Sequence, residues 1–471
     1  MNNTNNILII NGSPKNNYSI TLQTSLFLQK KFPDCKFEIQ PVIKFNNQLD
    51  LNPEEVYEKI KTFDIIIFSY PVYTFIAPYQ LHLFIEKLKN HNFNFDGKVA
   101  TQITTSKHFY DITAHQFIKE NSLDLGFNFI TGLSADMEDL IKKSGQQEAE
   151  NFFKRVLWCT ENSLFDSVPL SIEERNRKNS ENTTKPIKFS YEYKIETEND
   201  NSKEIVIVTD VDNSNPKDSN LKMMIDKFVE LVPYKTKIVN IREYKFKGGC
   251  LGCFKCATNG KCIYTDGFDE FLRTEIQTAS SIIYAFSIKE HSMGAIFKLY
   301  DDRQFCNGHR TVTTGMPIGY IVSGNLSQEQ NLKTIIKARA EVGGNFVAGI
   351  ACDEVNDFDK ENLPEFSIYK LVQNLIFALQ NEYSQPANFY GVGGMKIFRD
   401  LIYEMQGMMK VDHKFYKKNG LYDDFPHKKK GRIFGMYLVG LLNSPKLQDK
   451  IGNKMNEGMI APYKKVLDEI K

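Results

Sequence analysis

The sequence predicts an α/β protein with two doubly wound parallel sheets in tandem and a basic helical tail. Short apolar runs rich in β-branched residues alternate with helical patterns in two separate stretches, as expected for parallel strands buried on both faces. A polar segment divides the two stretches, and positive charge is concentrated after the second one. We therefore predict four segments: domains at 1–165 and 204–385, a linker at 166–203 and a tail at 386–471.

The first stretch alternates strands and helices from its beginning. Ile7–Ile10 is an apolar run that ends in a polar turn, and a helical pattern follows it. The further predicted strands are Asp64–Tyr70, Val99–Thr104 and Phe127–Thr131. The predicted helices lie near Ser19–Lys31, Tyr79–Lys89, Thr113–Asn121 and Gln146–Phe165.

The second stretch repeats this alternation. The predicted strands are Glu204–Thr209, Thr236–Ile241, Ser281–Ser287, Pro317–Val322 and Asn345–Ala351. The predicted helices lie near Ser219–Val232, Phe268–Thr278, Met293–Arg303, Gln328–Val342 and Asn362–Tyr383. In such sheets ligands bind beyond the carboxyl ends of the strands, so the turns that follow the strands are where functional residues are expected.

The linker and the tail differ from the domains in composition. Pro, Ser, Asn, Glu and Lys dominate the linker, in which one strand is predicted near Phe189–Ile195. The tail has 16 Lys+Arg against 9 Asp+Glu, a net +7 that cancels the −6 of residues 1–385 to leave the overall +1. Its segment Gly391–Met395 is too glycine-rich to predict a helix. A face packed on the second domain is favoured for the tail over a partner or membrane-surface contact.

Composition narrows the class of protein. With 41% hydrophobic and 25% charged residues the chain is typical of a soluble globular protein, which excludes a disordered, collagen-like or coiled-coil chain. No signal peptide is predicted, and the longest apolar run, Ile433–Leu442, is too short for a membrane helix. The expected compartment is the cytoplasm, where structural disulfides are rare. No recognisable module predicts nucleic-acid binding.

The turn after the first strand has the composition of a phosphate site. Residues 11–21 read Asn-Gly-Ser-Pro-Lys-Asn-Asn-Tyr-Ser-Ile-Thr, with Gly12 for a tight turn, Lys15 as a cation and Ser19 at a helix start. It is neither a Walker A loop nor a G-x-G-x-x-G fingerprint. The alternative is a polar turn whose hydroxyls only cap the helix.

This loop resembles the phosphate loop of flavodoxin-like NAD(P)H-dependent FMN reductases and quinone reductases. A second loop, Ser69-Tyr-Pro-Val-Tyr-Thr74, resembles the P-x-Y element that holds the flavin ring in that family, and Thr104–Ser106 occupies the place of a third loop. The resemblance covers about residues 5–165 and implies the strand order 2-1-3-4-5. It implies FMN on Ser13, Pro14, Lys15, Ser19, Ile20, Thr21, Pro71, Val72, Tyr73, Thr74, Thr105 and Ser106. Tyr73 as an aromatic at the edge of the core is the alternative.

Four of the eight cysteines lie within 13 residues, at Cys250, Cys253, Cys256 and Cys262. The spacing C-x2-C-x2-C-x5-C is closer to the compact iron–sulfur motif of ferredoxins than to the two separated pairs of a zinc site. A single 4Fe–4S cluster is the preferred hypothesis, with zinc and a metal-free thiol cluster as alternatives. The remaining cysteines are isolated and are predicted to be small buried side chains: Cys35, Cys159, Cys306 and Cys352. The segment Trp158–Cys159 is predicted to lie in the core.

The segment 247–266 is similar to the cysteine motif of iron–sulfur flavoproteins, which are flavodoxin-like and carry it after the second strand. The equivalent FMN loops of the second domain depart from the family pattern. Its first turn lacks the glycine and contains Asp210, Asp212 and Asp218, which would repel a phosphate. Its third-strand loop reads Ser-Ile-Lys-Glu-His, ending at His291. Whether the second domain binds an FMN of its own is left open.

A further group of polar residues near this altered loop is a candidate pocket lining or an ordinary polar loop: His291, Asp301, Asp302, Arg303, Cys306 and His309. The resemblance implies an oxidoreductase that uses NAD(P)H as donor and a quinone, a nitro or azo compound, oxygen or a free flavin as acceptor. The alternative is an electron-transfer flavoprotein that acts with a ferredoxin-like partner. Homo-oligomers are also implied, and a tandem chain could bring the FMN of one domain against the cluster of the other.

Overall fold

The computed structural model describes residues 5–181, 185–354 and 363–423 and contains two parallel β-sheets. The first sheet consists of β1 (Asn6–Asn11), β2 (Lys36–Pro41), β3 (Ile65–Pro71), β4 (Val99–Ser106), β5 (Asn128–Phe129) and β6 (Leu133–Asp136). The second consists of β7 (Asp200–Thr209), β8 (Tyr234–Asn240), β9 (Ser281–Ser287), β10 (Pro317–Ser323) and β11 (Phe346–Cys352). We call the parts of the chain that build the two sheets the first half and the second half.

Both sheets have the predicted topology. The first runs β2-β1-β3-β4-β5, with β6 also paired to β4, and the second runs β8-β7-β9-β10-β11. All of these strand pairs are parallel. The predicted fold class, with the order 2-1-3-4-5 in each half, is confirmed.

Helices lie between the strands in both halves. The helices of the first half and linker are α1 (Ile20–Lys31), α2 (Val42–Leu51), α3 (Pro53–Lys61), α4 (Tyr79–Asn90), α5 (Asp111–Asp124), α6 (Lys143–Glu161) and α7 (Ile172–Glu181). Those that follow are α8 (Ser219–Leu231), α9 (Lys255–Asn259), α10 (Phe268–Phe271), α11 (Gly294–Arg303), α12 (Gln330–Gly343), α13 (Pro364–Gln380), α14 (Phe389–Glu404) and α15 (Lys410–Lys418). A π-helical turn, Leu272–Ile276, continues α10.

The two halves pack through helices that hold the same place in each sheet. Helix α4 follows the third strand of its sheet and packs on α11, which follows the third strand of the other. Helices α5 and α12, which follow the fourth strands, pair in the same way. One hydrophobic core runs through this contact and includes apolar side chains of both sheets. The halves are therefore related as the subunits of a symmetric dimer would be, within a single chain.

Two local predictions are wrong. Residues 189–195 form no strand, because the Ser190 and Tyr191 amides donate to Glu365 Oε1, at 2.9 and 3.2 Å, rather than to a neighbouring strand. Gly391–Met395 lies inside helix α14. A Cβ at Gly394 would approach Val342 Cγ2 to 2.5 Å, so glycine here permits close packing of α14 on α12.

Among the isolated cysteines, Cys159 and Cys306 are buried, whereas Cys35 and Cys352 are half-buried. Trp158 is wrongly predicted to be in the core, because 54% of it is exposed. The chain divides into two compact units, Met1–Asp412 and His413–Lys471. Within the described ranges, no helix combines the length and apolarity that a membrane span requires. The basic segment His427–Lys430 and the apolar run Ile433–Leu442 lie outside the described residues.

Candidate functional site

A cavity opens at the carboxyl ends of the first-half strands, where β1, β3 and β4 each lead into a loop. The residues predicted to bind FMN that line it are Ser13, Lys15, Ser19, Ile20, Thr21, Pro71, Val72, Tyr73, Thr74, Thr105 and Ser106. Pro14 belongs to the same turn but is not part of the wall. The structure thus brings the three predicted loops together in one place, which we call the first cavity.

The loop after β1 presents hydroxyl groups at the start of a helix. Ser19 is the N-cap of α1, and its Oγ accepts from the Leu22 amide at 3.3 Å. The amides of Ile20 and Thr21 lie in the first turn, where a helix offers them no carbonyl partner. Gly12 suits the close packing of this turn, because a Cβ would lie 3.0 Å from Leu81 Cδ2 and 3.2 Å from Tyr70 Cβ, closer than side chains ordinarily approach. This arrangement suits an anion such as a phosphate.

The loop after β3 is held in an uncommon conformation by the second half. Thr74 and Phe75 have φ angles of 44° and 72°, which side chains other than glycine rarely adopt. Lys298 on α11 donates to the Tyr73 carbonyl at 3.0 Å. Asp302, also on α11, accepts from Thr74 Oγ1 at 3.0 Å and from the Tyr79 amide at 2.8 Å. The second half therefore determines the shape of a first-half loop.

The predicted cluster cysteines line the same cavity. Cys250, Cys253, Cys256 and Cys262 are all part of its wall. Their loop touches the loops of the first half directly, since a Cβ built at Gly252 would collide with Tyr73 Oη and would lie 3.2 Å from Lys15 Cε. The structure thus unites the two sets of residues that the sequence predicts as separate cofactor sites.

The separation of the sulfur atoms bears on which metal they could hold. A zinc ion with Zn–S bonds of about 2.3 Å in a tetrahedron brings its sulfurs to about 3.8 Å of one another. Among the described residues, no three cysteine sulfurs lie within 4.8 Å of one another. A 4Fe–4S cluster takes one cysteine on each iron and holds the sulfurs further apart than a single zinc ion does.

The electrostatics of the cysteines also depend on what they bind. Burial raises the pKa of the Cys256 thiol to about 11 and that of Cys250 still further. A bound cation reverses this effect, because it stabilises the thiolate. The Gly252 amide donates to Cys250 Sγ at 3.4 Å, the kind of contact that tunes an iron–sulfur cluster.

Lys15 lies beside both sets of residues. Its Nζ lies 5.2 Å from the centre of the Phe254 ring. Burial lowers the pKa of Lys15, and the neighbouring Cys253 and Cys250 oppose that effect. Lys15 can therefore contact an anion in the first-half loop while it faces the cysteine loop.

The polar residues that the sequence predicts as a candidate pocket lining, around Asp301, do not all have the same role. Arg303, Cys306 and His309 line the first cavity. Arg303 is buried and donates to both carboxylate oxygens of Asp266, at 2.7 and 2.8 Å, which anchors the end of the cysteine loop. Asp301 and Asp302 support the first cavity from behind, paired with Lys298.

Aromatic side chains that the sequence did not single out complete the wall. Those on the wall besides Tyr73 are Phe109, Phe254, Tyr264, Phe305 and Phe398. Phe109 follows β4, and it stacks at 4.2 Å on Phe398 of α14, in the predicted tail. Phe254 and Tyr264 lie within the cysteine motif, so their position in the sequence could have identified them as candidate site residues. No local pattern identifies Phe398 as one.

The loop after β7 in the second half corresponds to the phosphate loop of the first half, and it contains carboxylates. Asp210 and Asp218 are both buried, and Asp218 accepts from the Asp212 amide at 2.8 Å and from Ser287 Oγ at 3.0 Å. Burial raises the pKa of Asp210 to about 6. These groups take up the hydrogen-bond donors that a phosphate would need.

Part of the first half is similar to a known family. Residues 5–119 match the family model of NADPH-dependent FMN reductases, which confirms the predicted resemblance for that part of the chain. No curated protein matches the chain.

Several solved structures are similar to the chain over part of its length. A general stress protein 14 from Treponema denticola, in complex with FMN, is 10% identical over 34% of this chain and 98% of its own, with a TM-score of 0.26. An NAD(P)H:quinone oxidoreductase from Methanothermobacter marburgensis is 11% identical over 39% and 98%, with a TM-score of 0.27. An NADPH-quinone reductase from P. pentosaceus is 13% identical over 32% and 97%, also with a TM-score of 0.27.

Proposed function

We propose that this chain is an NAD(P)H-dependent flavin oxidoreductase that holds FMN and an iron–sulfur cluster in the first cavity. The observation that carries the proposal is that the three loops of the matched family region and the four clustered cysteines line one cavity. FMN supplies hydride acceptance from a nicotinamide and one- or two-electron release, and a 4Fe–4S cluster supplies one-electron transfer.

The residues of the first loop are suited to the phosphate end of FMN. Ser13, Ser19 and Thr21 are buried hydroxyls around the start of α1, and Lys15 adds a positive charge. The Thr21 hydroxyl lies 2.5 Å from that of Thr105, which connects the phosphate loop to the loop after β4. The helix amides and Lys15 together favour a group that carries about two negative charges.

The remaining loops would hold the flavin ring. Pro71, Val72, Tyr73 and Thr74 form one side of the cavity, and Thr105 and Ser106 form another. Lys298 and Asp302 fix the first of these loops from the second half, so the ring site is organised before a ligand arrives. Cys250, Cys253, Cys256 and Cys262 would hold the cluster in the part of the wall that contacts Lys15 and Tyr73.

The character of the cavity favours an enzyme over a pure electron carrier. A carrier that docks a protein partner is expected to expose its flavin edge on a charged surface, whereas this cavity is lined by aromatic rings. Such walls exclude water and accept flat apolar rings, including nicotinamide and quinone-like acceptors. An electron-transfer protein that acts with a ferredoxin-like partner is the other outcome that the experiment below distinguishes.

The test is anaerobic purification of the full chain with FMN, iron and sulfide counted per chain, followed by titration with NADH and NADPH. We expect one FMN, four irons and four sulfides, and bleaching of the flavin absorbance by a nicotinamide. Flavin that is reduced by dithionite but by neither nicotinamide would contradict the enzyme and favour the carrier. A chain without iron or with zinc would contradict the cluster.

A further inference from the structure

A second cavity lies where the second half should have the counterpart of the first. The first cavity is bounded by the loops after β3 and β4 and by residues that follow α11 of the other half. The second is bounded by His291 in the loop after β9, by Glu329 in the loop after β10, and by residues 89–94 at the end of α4. Because β3 and β9, β4 and β10, and α4 and α11 are equivalent, these parts of the two cavity walls correspond, whereas the loop after β7 contributes no lining residue to the second cavity.

Three metal-binding side chains converge at this second cavity. Glu120 comes from α5 of the first half, and His291 and Glu329 come from loops of the second. One ligand atom of each lies within 4.8 Å of the others. His291 Nδ1 is 3.0 and 3.1 Å from the two carboxylate oxygens of Glu329. The cavity wall therefore presents one imidazole and two carboxylates from three separate elements.

The charges around these side chains are not balanced. Asp124 and Glu290 lie beside them, and Lys89 pairs with these two at 2.8 and 2.5 Å. Glu120, Asp124, Glu290 and Glu329 thus lie around one ammonium and one imidazole, while Arg175 on the same cavity wall is paired with Asp96 at 2.9 Å. Glu120 Oε2 is a buried atom with no hydrogen-bond partner among the described residues, while Oε1 accepts from Gln116 at 2.8 Å. A partly buried excess of negative charge with an unpaired oxygen is stabilised by a cation.

The donor set also indicates the kind of cation. His291 Nε2 lies 2.8 Å from Asp124 Oδ2, so a carboxylate can orient the ring while Nδ1 faces the other ligands. Imidazole with carboxylates suits divalent ions of the first transition row, whereas Ca²⁺ and Mg²⁺ prefer oxygen alone.

We propose that Glu120, His291 and Glu329 bind one divalent transition-metal ion in the second cavity, at the place that corresponds to the predicted flavin site of the first half. The second half has then replaced a flavin loop with metal ligands, in line with the altered sequence Ser-Ile-Lys-Glu-His that ends at His291. This site is separate from the proposed cofactor site, because the two cavities share no lining residue.

The test uses Mn²⁺ and the full chain, purified anaerobically and dialysed against chelator. Mn²⁺ is chosen because it prefers nitrogen and oxygen ligands over thiolates, so the cysteines do not compete. Bound metal is measured by equilibrium dialysis and by the loss of the free-ion magnetic resonance signal. We expect one Mn²⁺ per chain, with affinity reduced by more than about tenfold in Glu120→Gln and in Glu329→Gln.

Glu120→Gln is the decisive variant, because Oε1 can still accept from Gln116 and the ion pairs of His291 stay in place. The matched control is Glu150→Gln on α6, a partly exposed glutamate that pairs with Lys31. Retained binding in the control and loss in the two site variants support the proposal. No Mn²⁺ binding by the native chain, or equal binding by Glu120→Gln, overturns it, and neither result alters the FMN and iron counts of the first cavity.

Discussion

Lys15 contacts both parts of the first cavity. It lies in the phosphate loop of the first half, its Nζ is 5.2 Å from the centre of the Phe254 ring, and its Cε lies close to Gly252. The sequence alone assigned Lys15 to a phosphate. The sequence suggested that a tandem chain could bring the FMN of one domain against the cluster of the other, but it could not show that Lys15 lies beside the cysteine loop, because the two segments lie more than 200 residues apart in the chain.

Lys15→Gln is expected to weaken FMN binding by about tenfold or more, because a charge-assisted contact to the phosphate is lost. Riboflavin, which lacks the phosphate, should lose little affinity. Both affinities are measured by quenching of flavin fluorescence on the full chain. Lys30→Gln, near the other end of the same helix, is the control and should bind FMN as the native chain does. An equal loss for FMN and riboflavin would refute a phosphate role.

At the scale of elements, the continuously apolar strands could be predicted from the sequence, whereas β2, at the edge of the first sheet, could not. The buried stretches of β1, β3 and β9 are continuous apolar sequences, and the hydrophobic pattern of such stretches indicates buried strands. Strand β2 is half-buried and mixes charged with apolar residues, so its signal is weak. Helix α14 was missed because local propensity counts glycine against a helix, whereas packing on α12 requires it.

The glycines of α14 give a matched pair of variants. Gly394→Ala would place a Cβ 2.5 Å from Val342 Cγ2 and 3.1 Å from Phe109, so we expect a loss of about 1–3 kcal/mol in the free energy of unfolding. Gly393→Ala meets nothing closer than Phe389 Cζ at 4.0 Å and should gain about 0.5–1 kcal/mol. Urea unfolding measures both. Equal effects of the two substitutions would show that α14 does not pack on α12 in this way.

Asp210, in the altered loop after β7, lowers the stability of the folded chain by an amount that depends on pH. Burial raises the pKa of Asp210 to about 6 in the folded chain, against an ordinary value near 3.8 in the unfolded chain. The folded state therefore prefers the protonated acid, and stability falls as the pH rises from about 4 to 6.

Asp210→Asn should accordingly be more stable than the native chain by about 1–3 kcal/mol at pH 8, with the difference shrinking towards pH 4. Unfolding midpoints measured at several pH values check this. Asp212→Asn, a half-exposed neighbour in the same loop, is the control. A pH-independent difference, or destabilisation by Asp210→Asn at pH 8, would contradict the assigned cause.

At the scale of the whole molecule, the two halves meet as equivalent parts with different sites. The sequence showed the duplication, the drift of the second set of loops and the cysteine motif. It could not show that the cysteines reach the loops of the other half, since that depends on the pairing of α4 with α11 and of α5 with α12. Tertiary contact between the halves, rather than any local pattern, creates both cavities.

Substitution of Asp302 tests whether the second half determines the shape of the loop after β3 in the first half. It is fully buried and accepts from Thr74, from the Tyr79 amide and from Lys298. Asp302→Ala leaves Lys298 buried with a weaker partner, so we expect a loss of about 3–5 kcal/mol in stability together with weaker FMN binding. Asp226→Asn, at an exposed pair with Lys222, should change stability by less than about 0.5 kcal/mol. Unchanged FMN affinity in a folded Asp302→Ala chain would show that the second half does not shape the flavin loop.

The central claim is that FMN and an iron–sulfur cluster share the first cavity of one chain. The most direct measurement is a crystal structure of the anaerobically purified chain with FMN, with diffraction data collected at the iron absorption edge. We expect flavin density on the loops after β1, β3 and β4, and an anomalous iron peak enclosed by Cys250, Cys253, Cys256 and Cys262 in the same cavity. Flavin on the loops of the second half, or cysteines without an iron peak, would contradict it.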